Sequence, residues 1–167
     1  MARNTLIADG LKNAAMSYFA HKGYSCYPEI GCNSWGKLRA DVLCLNMKCH
    51  IVLCEIKSSV ADYSSDSKWK GYLTYSNKMY FIFTEQVYAK LEKRLAGDTR
   101  GTGVGILVLD TISGLLRCVQ PASNRKMVGK VKKDIVVRMA WRNGVSKRTN
   151  KQRKRVFIGE DNLDNLC

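Results

Sequence analysis

Two apolar, partly β-branched runs, Arg39 to Asn46 and Ile51 to Lys57, are separated only by the polar segment MKCH. Such a pair reads as two antiparallel strands joined by a short turn, and it dictates which residues meet. With the turn about Lys48, Leu45 faces Ile51, Leu43 faces Leu53 and Asp41 faces Glu55. Alternation along the strand puts Lys57 on the same face as Glu55, with cross-strand Cβ atoms about 5 Å apart. The opposite face carries Val42, Cys44, Val52, Cys54 and Ile56. Both strands therefore read as buried on both sides, and their charged ends require a reason.

Two carboxylates at that separation repel each other and resist desolvation unless a cation compensates them. Hard oxygen ligands completed by waters suit Mg²⁺, with Mn²⁺ expected to substitute. In this reading Asp41, Glu55 and the backbone carbonyl of Ile56 hold a metal that polarises a phosphate and acidifies a water. Lys57 orients that water or stabilises the developing charge. The bland alternative is an ordinary ion pair at the end of a hairpin. Asp66-x-Lys68 repeats the acid-x-Lys spacing, but not at the end of an apolar strand with an acid opposite.

The formal charge of +14 points to a polyanionic partner, nucleic acid first, because Lys and Arg along a phosphate backbone release counterions. The charge is concentrated between Arg125 and Arg155, where thirteen Lys and Arg stand against the single acid Asp134. Within that segment Arg148, Lys151, Arg153, Lys154 and Arg155 are expected to contact phosphates without reading sequence.

A chain of 167 residues fits one globular domain, here taken as 1–145, followed by a basic, flexible tail over 146–167. Spacing predicts a helix from about Thr5 to Lys22 and a strand from Tyr24 to Ile30 interrupted at Pro28. After the hairpin come a helix capped by Ser64, Ser65 or Asp66 and running to about Tyr75, and a strand over Met79 to Phe83. A helix from Thr84 or Glu85 to Gly97, a strand over Val104 to Leu109, a partner strand over Leu115 to Val119 and a helix over Asp134 to Arg142 complete the order. Helices and strands in this order predict an α/β fold, a mixed sheet flanked by helices. GTGVG reads as a loop, since no helix follows it.

Seven cysteines without a Cys-x-x-Cys read as reduced, mostly buried thiols, and Cys44, Cys49 and Cys54 as strand and turn residues rather than cluster ligands. His21 and His50 form no arrangement suited to a His-metal nuclease or a Cys-His nucleophile. No apolar run approaches the roughly 18 residues that span a bilayer, so the expectation is a soluble cytoplasmic protein, in the host cytoplasm if the source is a phage.

The stretch RADVLCLNMKCHIVLCEIKSSVADYSSDSKWKGYLTYSNKMYF, Arg39 to Phe81, resembles the MmcB-like DNA repair proteins of the PD-(D/E)XK nuclease superfamily. The shared features are an acid after a turn, a strand ending in Glu-x-Lys, a Ser-Ser pair, a helix with Trp and Tyr, and a Tyr-Phe strand. Asp41, Glu55, Lys57, Trp69 and Tyr72 take those places, while Ala40 stands where the loose motif carries Pro. The resemblance implies a restriction-endonuclease-like three-layer sandwich, metal-dependent phosphodiester hydrolysis and a role in DNA repair or processing. It also makes Lys68 and Tyr72, four apart on the expected helix, candidates to lend side chains to the site. Glu29 becomes a candidate metal ligand or general base, against the alternative of a solvated acid. Trp69 is expected in the core.

The leading expectation is a Mg²⁺-dependent DNA endonuclease with structure rather than sequence preference. A Holliday-junction resolvase of the same fold, acting as a homodimer, and a non-catalytic DNA-binding or inhibitory protein are the alternatives.

Overall fold

The computed structural model describes residues 2–33 and 38–143. Helix α1 (Ala2–Ala20) leads into strand β1 (Tyr24–Gly31), and β2 (Arg39–Asn46) and β3 (Ile51–Lys57) form the expected hairpin. Its register is the anticipated one, with Val42 on Cys54, Leu43 on Leu53, Cys44 on Val52 and Leu45 on Ile51. The turn is closed by the Asn46 side chain, whose Oδ1 accepts from the N–H groups of Lys48 and His50.

Helix α2 (Val60–Ser65) and a 3-10 segment (Trp69–Tyr75) follow, then β4 (Lys78–Thr84), α3 (Glu85–Asp98), β5 (Gly105–Leu109), β6 (Leu116–Gln120) and α4 (Gly129–Asn143). The six strands lie side by side in chain order. β3, β4 and β5 are parallel and the flanking pairs antiparallel, so the sheet is mixed. Parallel neighbours need crossovers, which the α2 and 3-10 stretch and then α3 supply.

Two hydrophobic layers enclose the sheet. Leu11, Ala15 and Phe19 of α1 pack on Val42, Cys44, Val52, Cys54 and Ile56 on one face. The other face buries Leu43, Leu53, Phe81 and Phe83 under Tyr63, Trp69, Leu91, Leu95, Ile135 and Met139 from the remaining helices. The architecture is the expected α/β three-layer sandwich, and Trp69 is a core residue, edge-on to Phe81.

Local chemistry explains where the elements differ from expectation. α2 starts at Ser59, whose Oγ accepts from the Asp62 N–H, so Ser64 to Asp66 end a helix rather than begin one. Lys68 then precedes a 3-10 segment, and the four-residue helical relation between Lys68 and Tyr72 does not form. Pro28 does not interrupt β1, because this edge strand requires no donor from it on its open side. α4 begins five residues earlier than expected, at Gly129. Of the described cysteines, Cys32, Cys44 and Cys54 are buried, whereas Cys49 in the hairpin turn and Cys118 on edge strand β6 are exposed. Among the described residues no helix is long and apolar enough to cross a membrane.

GTGVG is a turn, with Gly101 and Gly103 in left-handed conformations. Its last glycine, Gly105, opens β5 at a point where a Cβ would run into the Tyr80 ring and lie 2.7 Å from the Ala122 backbone nitrogen. Gly105→Ala is therefore expected to cost about 2 kcal/mol through overpacking, read as a lowered denaturation midpoint in urea. An unchanged midpoint would show that both the Tyr80 ring and the Ala122 backbone give way at no cost.

Candidate active site

β3 delivers its last three side chains, Glu55, Ile56 and Lys57, to one end of the sheet. Glu55 and Lys57 lie on the face covered by α2, α3 and α4, and are only 4% and 5% exposed. Strand β2 brings Asp41 alongside, although not as a ladder pair. The ladder stops at Val42 and Cys54, and Asp41 Oδ2 accepts the Ile56 N–H at 2.7 Å. This replaces the missing backbone acceptor and fixes the Asp41 carboxylate against β3. On the other side β1 places Glu29 opposite Asp41, between the pairs Pro28–Val42 and Ile30–Ala40.

These residues line one cleft of about 610 Å³, open to solvent, with Lys68 and Tyr72 also in its wall. All six side chains anticipated from sequence as catalytic are thus brought to one place. Their surroundings differ. Lys68 is exposed, whereas Tyr72 is 6% exposed and donates its hydroxyl hydrogen to the Arg39 carbonyl at 3.0 Å, which makes it a strut for β2. Glu29 is bound by two cations, Lys12 Nζ at 2.6 Å and Arg39 Nε at 2.9 Å. The anticipated phosphate contacts Arg148, Lys151, Arg153, Lys154 and Arg155, with the whole 146–167 segment, lie outside the described residues.

Electrostatics separates the three central groups. Burial, reinforced by the charge of Asp41, pushes the Glu55 carboxyl up to about 9. Its Oε1 is sealed from solvent with no hydrogen-bond partner. Burial also raises Asp41, against the pull of the Ile56 N–H. Burial works to lower the Lys57 pKa, but the hydrogen bond to Asp66 and the charges of Asp66, Glu55 and Asp62 outweigh it and keep the ammonium protonated. Lys57 Nζ donates to Asp66 Oδ2 at 2.6 Å and lies 3.8 Å from Glu55 Oε2.

Asp66, Lys12 and Arg39 were not anticipated. Asp66 belongs to the second acid-x-Lys triplet, and its partner turns out to be Lys57, nine residues back. Its other oxygen accepts the Lys68 N–H, so it is held from both sides.

Among the described residues no group of three or more His, Cys, Asp or Glu side chains is placed to hold a metal ion. The donor set nevertheless suits Mg²⁺, which keeps several waters and commonly takes only one or two carboxylates with substrate phosphate oxygens. A buried carboxylate oxygen without a partner, beside a second carboxylate at an open cleft, is the local feature that a cation would satisfy.

A mixed-sheet α/β sandwich with acids and a lysine clustered at one sheet end defines the class. The family model described as DNA repair protein MmcB-like matches residues 3–153, and the chain belongs to that family. The family points to a role in DNA repair and to DNA as the partner. A solved structure of a protein of unknown function from Silicibacter pomeroyi is similar in fold, with a TM-score of 0.70 and 23% identity over 92% of this chain and 97% of that one. No curated protein matches.

Proposed function

We propose that the chain is a metal-dependent DNA endonuclease of the PD-(D/E)XK type, hydrolysing phosphodiester bonds in repair or processing with structure rather than sequence preference. The observation that carries this reading is the pairing of Glu55 with Asp41 in the lining of an open cleft, with the buried Glu55 Oε1 left without a partner. A neutral protein interior gives no reason to keep two acids and a lysine there.

Asp41 and Glu55, with the Ile56 carbonyl, would hold Mg²⁺ or Mn²⁺, which when bound polarises the scissile phosphate and lowers the pKa of a water. The Ile56 N–H holds the Asp41 carboxylate in place before any ligand arrives. Lys57 is protonated, so it serves as a donor to the charge developing on the phosphate rather than as a base. Asp66 is a positioning residue that keeps Lys57 Nζ at the cleft wall. Lys68, exposed at the rim, and the basic segment beyond residue 145 contact phosphates and supply affinity.

Labelled single-stranded, duplex, flap and four-way-junction DNA incubated with Mg²⁺, Mn²⁺ or EDTA tests this. Cutting is expected only with metal, and Lys57→Ala should remove it while DNA binding persists. Paired cuts across a four-way junction would narrow the activity to a Holliday-junction resolvase. Binding of every substrate with no cleavage of any would instead establish a non-catalytic DNA-binding protein.

A further inference from the structure

Glu29 is conformationally unusual. Its φ of 56° is left-handed, shared among the described non-glycine residues only with the turn residue Cys49. A left-handed residue within a strand, here two residues before the end of β1, is uncommon for a glutamate. Its side chain is engaged by two ion pairs. Lys12 Nζ meets Oε1 at 2.6 Å and Arg39 Nε meets Oε2 at 2.9 Å, so each carboxylate oxygen has its own cation. Lys12 reaches the site from α1 on one face of the sheet, and Arg39 from the start of β2. All three line the same cleft as Asp41, Glu55 and Lys57.

Two cations converging on the two oxygens of one anionic group, at the mouth of a cleft, form the arrangement that a phosphodiester phosphate would need. Glu29 supplies that anionic group here, with the Arg39 side chain 66% exposed and the Lys12 side chain 20% exposed. We propose that Lys12 and Arg39 form a subsite for a DNA backbone phosphate, and that Glu29 is a resident carboxylate which that phosphate displaces. The inference rests on the reading of this cleft as DNA-acting, and it gives Glu29 a role different from metal ligand or general base. Glu29 would restrain DNA binding until a phosphate competes for its two cations.

The test is equilibrium binding of fluorescently labelled duplex DNA in EDTA, measured by anisotropy across a salt series, for the full chain. Glu29→Gln should tighten binding about three- to tenfold. Arg39→Gln and Lys12→Gln should each weaken it by a similar factor and lower the slope of log affinity against log salt by about one. Arg39→Gln alters an exposed side chain and serves where Lys12→Gln perturbs folding. Unchanged affinity and slope in Arg39→Gln, or equal or weaker binding by Glu29→Gln, would overturn the subsite. Absence of wild-type DNA binding would overturn it as well. The readout needs no turnover: DNA bound but never cut in the metal series would sink the nuclease reading and leave the subsite standing.

Discussion

Replacing Glu55 by glutamine is expected to stabilise the metal-free protein by about 3 kcal/mol at pH 8 while lowering metal-dependent cleavage about a thousandfold. The stability gain follows from the direction in which burial moves this carboxyl. Its pKa rises on folding from 4.5 to about 9, so between those values the folded chain holds a proton that the unfolded chain has released. Stability then falls as pH rises through that window. Glutamine has the shape of the protonated acid and carries no charge to lose, so its advantage should be absent near pH 4 and grow toward pH 9. Urea denaturation of both proteins in EDTA at pH 4.5, 6, 7 and 8 measures it. A difference that stays constant across pH would mean that Glu55 has the same pKa in the folded and unfolded chain. Adding Mg²⁺ should reverse the order, because a ligand bound only to the folded state stabilises it by mass action and glutamine is a poor ligand. A residue that destabilises the resting protein and is needed for turnover is the usual signature of a functional site.

Asn77→Ala is expected to cost about 3 kcal/mol, although the residue is remote from the cleft. Asn77 is 8% exposed and stands just before β4. Its Oδ1 accepts the Ile51 N–H at 2.9 Å, and its Nδ2 donates to the Arg125 carbonyl at 2.9 Å. Its backbone N–H donates to the Ile51 carbonyl, and its own carbonyl accepts the Arg125 N–H, both at 2.8 Å. One residue thereby ties the starts of β3 and β4 to the segment leading into α4. Alanine keeps the two backbone bonds but leaves a donor on Ile51 and an acceptor on Arg125 unpaired. Each unsatisfied group costs roughly 1–3 kcal/mol. Thermal or urea unfolding reads the loss, and Asn77→Asp should do no better, because it removes the donor and adds a buried charge. Stability within about 0.5 kcal/mol of wild type would show that water replaces both bonds.

The hairpin and its register were legible because the side-chain period of two leaves only one way to bury Leu43, Leu53, Val42 and Cys54 together. That same register brings Asp41, Glu55 and Lys57 to one end of the hairpin. The boundary of α2 was not legible. Ser59, Ser64, Ser65 and Asp66 are all competent caps, and the Ser59 Oγ bond to the Asp62 N–H decides among them. With that boundary went the expected helical pairing of Lys68 with Tyr72 and the ion pair of Asp66 with Lys57.

What the sequence by itself determined was the order of elements, the layered α/β class, and the strand that carries Glu55 and Lys57. Each follows from local periodicity and charge, which act over a few residues. Only the tertiary structure decided which groups surround them. Lys12 arrives from α1 on the far face and Arg39 from the neighbouring strand, both onto Glu29, and Asp66 folds back onto Lys57 through the turn after α2. It also decided that Glu55 sits deeply enough to hold its proton near neutral pH. Desolvation and ion pairing depend on distances between segments far apart in the chain, and residue spacing along one strand carries no record of them.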